Sequence, residues 1–285
     1  MDVSSKTCEG SQMLSSKRSF LDGKVAIITG GARGIGAKTA KLLAKNGVDV
    51  VIADILDELG SPLAESIGGR YIHCDVSNEA DVESAVNLAL DWKGKLDIMF
   101  NNAGIAGPSG SIMNLKMDKL ANLLAVNLNG VVHGIKHAAR AMVAGGKGSG
   151  GTIICSSSSA AVMGGLASHP YSLSKAAILG LVKSAACELG QYGIRVNCVS
   201  PHGVPSEMLV SAFGRFVGKM DAEEVGRIVG ERGSLLVGRG GTMEDVAQAV
   251  LFLASQDSGF ITGQNIVLDG GFTSGVNQMN FIYQN

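Results

Sequence analysis

The chain has 285 residues, 24 Lys+Arg against 25 Asp+Glu, and a net charge of −1. A 46% hydrophobic, 17% charged composition excludes a disordered chain, and near-zero charge without a basic block argues against nucleic-acid or anionic-membrane partners. No apolar run reaches the roughly 18 residues of a membrane span, whereas the 40 glycines, with only 5 prolines, point to tight turns and close backbone approach.

Residues 1–20 are Ser-rich with scattered charges and no apolar core, so they read as a disordered tail rather than a secretory signal. Lys24–Thr29 is a short apolar run ended by glycines, the pattern of a buried strand. Ala37–Lys45 has helical spacing, and Asn46-Gly47 stops it. Val48–Ala53 predicts a second strand, and Asp57–Ile67 a helix closed by Gly68-Gly69. A third strand is expected over Tyr71–Cys74, a helix over Glu79–Trp92 and a fourth strand over Leu96–Phe100. Lys116–Val143 reads as one long helix, and Gly145–Gly151 as a surface turn. Then come a strand at Thr152–Cys155, an apolar helix at Tyr171–Leu189 and a strand at Ile194–Val199. A helix at Thr242–Ala254 and a strand at Asn265–Leu268 complete the series, leaving 276–285 as a C-terminal tail.

Strands alternating with helices predict an α/β fold. It is a single Rossmann-type, doubly wound domain over 21–275, with about seven parallel strands and helices on both faces. Ligands of such sheets bind at the carboxyl ends of the strands, near the point where strand order reverses.

Thr29-Gly30-Gly31-Ala32-Arg33-Gly34-Ile35-Gly36 lies between the first strand and the first helix. Glycines there let the backbone approach a pyrophosphate, and the helix start offers free N–H groups. Asp54 ends the second strand, where a carboxylate accepts hydrogen bonds from both adenosine ribose hydroxyls. A 2′-phosphate beside it would place two anions together, so NAD is expected over NADP, although Arg33 could contact such a phosphate.

Tyr171 and Lys175 are four apart and share one helix face. A Tyr phenol titrates near 10, and lowering it to about 7 takes about 4 kcal/mol. A Lys ammonium at ~4 Å, in an effective dielectric of ~20, supplies roughly that much. Ser158, thirteen residues earlier, is placed to steady a developing oxyanion. Five scattered cysteines with no CxxC pair suggest reduced thiols in a cytosolic protein, and the histidines show no metal-ligand spacing.

Together these segments resemble the short-chain dehydrogenase/reductase family over about residues 20–275. The match comprises Thr29–Gly36, Asp75-Val76, Asn101-Asn102-Ala103-Gly104, Asn127, Ser158, Tyr171-x-x-x-Lys175, Arg195-Val196-Asn197, Ser200-Pro201 and Asp269-Gly270-Gly271. The texture is similar to the plant group of xanthoxin, secoisolariciresinol, borneol and momilactone-forming dehydrogenases. The resemblance implies that Tyr171 is the general acid/base and that Lys175 binds the nicotinamide ribose and lowers the Tyr171 pKa. Ser158 would position the substrate oxygen, and Asn127 would hold a water in a proton relay. Asp75 and Val76 would flank the adenine, and Asn102, Ala103 and Gly104 would line the cofactor. Val204 and Ser206 would meet the nicotinamide carboxamide. Pro205 and Ser206 stand where plant relatives often carry Ala and Thr, and Ala176 where they often carry His.

Segment 206–235 is expected to form an apolar lid over a small hydrophobic substrate. No Arg or Lys cluster is evident there, which argues against phosphorylated or CoA-linked substrates. The resemblance also implies a homotetramer built on the two long helices. The expected function is an NAD-dependent dehydrogenase for a lipophilic secondary alcohol, terpenoid or phenolic. The alternatives are a cyclase or isomerase that keeps NAD as a scaffold, and a non-catalytic NAD-binding protein.

Overall fold

The computed structural model describes residues 21–144 and 150–275; the two expected tails and most of the 145–151 turn lie outside them. Seven strands form one sheet: β1 (Val25–Thr29), β2 (Asp49–Asp54), β3 (Arg70–His73), β4 (Ile98–Asn101), β5 (Gly151–Ser156), β6 (Ile194–Pro201) and β7 (Asn265–Leu268). Their order is β3-β2-β1-β4-β5-β6-β7, and every neighbouring pair is parallel.

The helices are α1 (Gly34–Lys45), α2 (Asp57–Ser66), α3 (Glu79–Lys93), α4 (Met117–Leu124), α5 (Gly130–Ala144), α6 (His169–Leu189), α7 (Glu207–Val217), α8 (Ala222–Arg232) and α9 (Met243–Ala254). Alternation along the strands divides the core in two, because successive side chains point to opposite faces. Val25 and Ile27 of β1 join Val82 and Val86 of α3, Val131 and Ile135 of α5, and Ile178 and Val182 of α6. Ala26 and Ile28 join Ala40 and Leu43 of α1 and Val246 and Val250 of α9 on the other side.

Strand order reverses between β1 and β4. A crevice therefore opens at their carboxyl ends, and the loops after β1 and β4 face each other across it. Two expected boundaries need correction. The first helix begins at Gly34, since the last glycines of the loop already form its first turn. The helix expected over 116–143 is interrupted by a π turn at Ala125–Asn129, which divides it into α4 and α5. Its centre is Asn127, and its cause is in the candidate site.

Candidate active site

The loop after β1 packs tightly enough to demand glycine. Gly30 has φ +62°, and a β-carbon on it would stand 2.8 Å from the Ala103 Cα. On Gly36 it would stand 2.1 Å from the Gly30 carbonyl oxygen. The loop is held from both sides. Asn102 donates through Nδ2 to the carbonyl oxygens of Thr29 (3.1 Å) and Gly30 (2.9 Å). Thr29 Oγ1 accepts from the N–H groups of Asn102 (3.0 Å) and Ala103 (3.2 Å). Asp54 accepts the Ala32 N–H at 2.9 Å and the Leu56 N–H at 3.0 Å. It thus fixes the loop while still lining the cavity, and its remaining lone pairs are open to ribose hydroxyls.

One cavity of about 1010 Å³ runs from this loop to the lid. Gly30, Arg33, Gly34, Ile35, Asp54, Asp75, Val76, Asn102, Ala103 and Gly104 line it, as do Ser158, Tyr171, Val204 and Ser206. Gly36 supports the loop from beneath. Asn127 and Lys175 are buried just behind the wall, and a β-carbon on Gly104 would lie 3.4 Å from Asn127 Oδ1 and 3.5 Å from Lys175 Nζ.

The Asn127 side chain is engaged by protein partners. Its Oδ1 accepts the Ile105 N–H at 2.8 Å, and its Nδ2 donates to the Ile105 carbonyl at 2.9 Å and to Ser174 Oγ at 3.2 Å. The amide clamps the segment after β4 as a strand neighbour would. The π turn rotates Asn127 into that position and leaves a buried side chain fully bonded.

Lys175 Nζ donates to the Ser156 carbonyl oxygen at 2.8 Å, and Ser157 Oγ donates to the Lys175 carbonyl oxygen at 2.8 Å. Lys175 is thereby tied at both ends to the tip of β5. Burial pulls its ammonium down to about 8. Tyr171 departs from expectation: burial pushes its phenol up, opposed by a hydrogen bond with Ser158. The Lys175 ammonium sits 5.6 Å from the centroid of the Tyr171 ring and is held by the Ser156 carbonyl oxygen. Ser158 also accepts the Ala160 N–H at 3.2 Å, which orients its hydroxyl.

α7 and α8 line the cavity with Met208, Leu209, Phe213, Ile228 and Val229. At Val204, whose backbone was expected to meet a carboxamide, the carbonyl oxygen accepts the Ser206 N–H at 2.7 Å in a tight turn around Pro205. Two charged residues were not anticipated. Glu207 Oε2 lies 3.4 Å from the place a β-carbon on Gly34 would take, and Arg232, at the end of α8, lines the lid wall. Neither has a local motif to mark it, because each reaches the site through long-range packing.

The geometry is a glycine loop after β1, Ser158 and Tyr171 on one cavity, and Lys175 buried behind its wall. A family model described as enoyl-(acyl carrier protein) reductase matches residues 30–273. The chain is a short-chain dehydrogenase/reductase. It is 61% identical over 263 residues to short-chain dehydrogenase reductase ATA1 of Arabidopsis thaliana, covering 91% of this chain and 96% of that one. It is 46% identical to secoisolariciresinol dehydrogenase of Forsythia intermedia, covering 92% and 94%. A crystal structure of a short-chain type dehydrogenase/reductase from Mycobacterium marinum matches with a TM-score of 0.80 at 32% identity, covering 90% of this chain and 98% of that one.

Other motifs of this short-chain dehydrogenase/reductase hold the frame. Arg195 donates to the carbonyl oxygens of Leu253 (2.6 Å) and Ile261 (3.2 Å), and Asn197 donates to Ile261 at 2.8 Å. They fasten β6 to the α9–β7 connection. Asp269 accepts the N–H groups of Gly271 and Thr273, closing the turn after β7. Its neighbour in space, His202, stacks on Phe272 with ring centroids 4.4 Å apart and has Nδ1 2.9 Å from Ser159 Oγ. His202 therefore serves the wall beside Ser158.

Proposed function

We propose that the protein is an NAD-dependent dehydrogenase that interconverts a lipophilic secondary alcohol, terpenoid or phenolic, and its ketone. The observation carrying this reading is the shared cavity: Ser158 and Tyr171 line it together with the phosphate loop, and Lys175 and Asn127 meet behind Gly104. The similarity to secoisolariciresinol dehydrogenase supports the alcohol class.

The residues present fit a dinucleotide. Close approach at Gly30, the N-terminus of α1 and the Asp54 carboxylate provide for pyrophosphate and ribose. Asp54 supports NAD over NADP, because a 2′-phosphate beside it would face a carboxylate. Bound NAD supplies the acceptor for the hydride. Ser158 holds the substrate oxygen through its hydroxyl, and Tyr171 as the phenolate takes the alcohol proton on its oxygen, or as the phenol returns it during reduction. Lys175 keeps a positive charge under the ring of Tyr171, and α7 and α8 exclude water above it.

We also propose a cytosolic homotetramer. Four described cysteines are free thiols, and among the described residues no helix is long and apolar enough to cross a membrane. Val132 and Val143 on α5 and Leu173 on α6 are exposed apolar side chains suited to a second copy. Light scattering showing a monomer at micromolar concentration would contradict the assembly.

A panel of cyclic terpenoid and phenolic alcohols, assayed for reduced-nicotinamide absorbance with NAD and with NADP, tests the activity. NADH formation with one alcohol class is expected, and NADP at equal concentration should give less. Substrate rearrangement without any absorbance change would move the protein to a cyclase or isomerase.

A further inference from the structure

Most arginines of this protein have partners. Arg140 faces Glu83, Arg227 faces Glu231 and Arg239 faces Asp245. Arg195 donates to backbone carbonyls, and Arg70 lies over the Trp92 ring. Among the arginines whose side chains are described, Arg33 and Arg232 alone have no carboxylate, carbonyl or ring partner, and both are exposed residues on the cavity wall.

Arg33 stands at the phosphate loop, where a dinucleotide brings its own anions. Arg232 stands at the opposite wall. A β-carbon on its neighbour Gly233 would lie 2.9 Å from His202 Nε2, and His202 is bonded to Ser159, next to Ser158. One turn earlier on α8, Val229 closes over Gly203. The last turn of α8 is thus a wall of the substrate end. The acidic residues on the cavity are Asp54, Asp75 and Glu207. Asp54 holds the phosphate loop, Asp75 follows β3 and Glu207 faces Gly34, so all three belong to the dinucleotide end. On the same end of α8 the lining residues are the apolar Ile228 and Val229, and Phe272 stacks on His202 against Gly233.

An unpaired guanidinium beside an apolar chamber matches a planar anion on an apolar body. Building on the alcohol dehydrogenase reading, we infer that Arg232 binds a carboxylate at the far end of the substrate, so that the preferred substrates are lipophilic hydroxy or keto acids. The carbinol end lies at Ser158 and Tyr171, and the acid end lies under α8.

A matched probe pair tests this without requiring turnover: anilinonaphthalene sulfonate and phenylnaphthylamine, the same ring system with and without an anion. Fluorescence titration of the full-length protein should show a preference for the sulfonate. Arg232→Gln should weaken that probe about ten-fold or more and leave the neutral one within about two-fold. Arg232→Lys should keep part of the preference, and Arg227→Gln all of it. No preference in the wild type, equal loss of both probes, or a loss confined to Arg33→Gln would overturn the assignment. Turnover separates the two readings. If no alcohol reduces NAD while the Arg232 preference holds, the dehydrogenase reading fails and the anion site stands. If lithocholic acid and its methyl ester are both oxidised and Arg232→Gln leaves their kcat/KM ratio unchanged, the anion site fails and the dehydrogenase stands.

Discussion

Lys175 places its ammonium 2.8 Å from the Ser156 carbonyl oxygen, in a fully enclosed position behind the catalytic wall. Burial lowers its pKa from 10.5 to about 8. Between those values the unfolded chain holds a proton that the folded chain has released, so this group makes stability rise with pH across that window. Lys175→Met should lose activity yet remove that rise. Denaturant unfolding at pH 7.5 and 9.5 should show wild type gaining about 2 kcal/mol relative to the variant. Parallel stability profiles would contradict it.

Asn127 replaces a strand neighbour for Ile105, binding both its N–H and its carbonyl. Asn127→Ala leaves two backbone groups and the Ser174 hydroxyl without that partner. A loss of about 2 kcal/mol in stability is expected. Activity should fall as well, because the same clamp sets the wall at Gly104. Asn127→Asp should not restore it, since a carboxylate cannot donate to the Ile105 oxygen.

Glu207 sets a carboxylate beside Gly34, where the loop and α1 invite an anion. It should weaken dinucleotide binding until it turns away. Glu207→Gln should therefore tighten NAD binding roughly three- to ten-fold at low salt, with the difference shrinking as salt rises. Isothermal titration at two ionic strengths checks this, and an unchanged affinity would assign Glu207 to the lid alone.

Asp54 has two duties, holding the Ala32 N–H and facing the ribose. Asp54→Ser should raise the NADP-to-NAD ratio of kcat/KM and also loosen the phosphate loop, lowering the melting temperature. A shifted cofactor ratio at constant stability would mean that the Ala32 bond is dispensable.

Much of this architecture was legible in local pattern. Val25–Thr29 is a short apolar run with sharp ends, and its burial on both faces follows from that, whereas Asn265–Leu268, at the sheet edge, is only half-buried. Tyr171 and Lys175 share a helix face at a fixed spacing, so their pairing was readable too. What escaped depends on distant packing. The π turn at Asn127 arises because Ile105, 22 residues away, needs partners. Lys175 turns toward Ser156, which no helical periodicity encodes. Thr29 opens the glycine motif, yet its hydroxyl serves the chain after β4. Glu207 and Arg232 enter the cavity only once the lid is laid over the sheet.

The central claim is that Tyr171 moves the proton that accompanies hydride transfer. The most direct test compares wild type and Tyr171→Phe with an alcohol that wild type oxidises, following NADH absorbance, and measures NAD affinity of both by titration. The variant should lose turnover by about 10³-fold or more while NAD affinity changes by less than about three-fold. Turnover within a few-fold of wild type would contradict the mechanism.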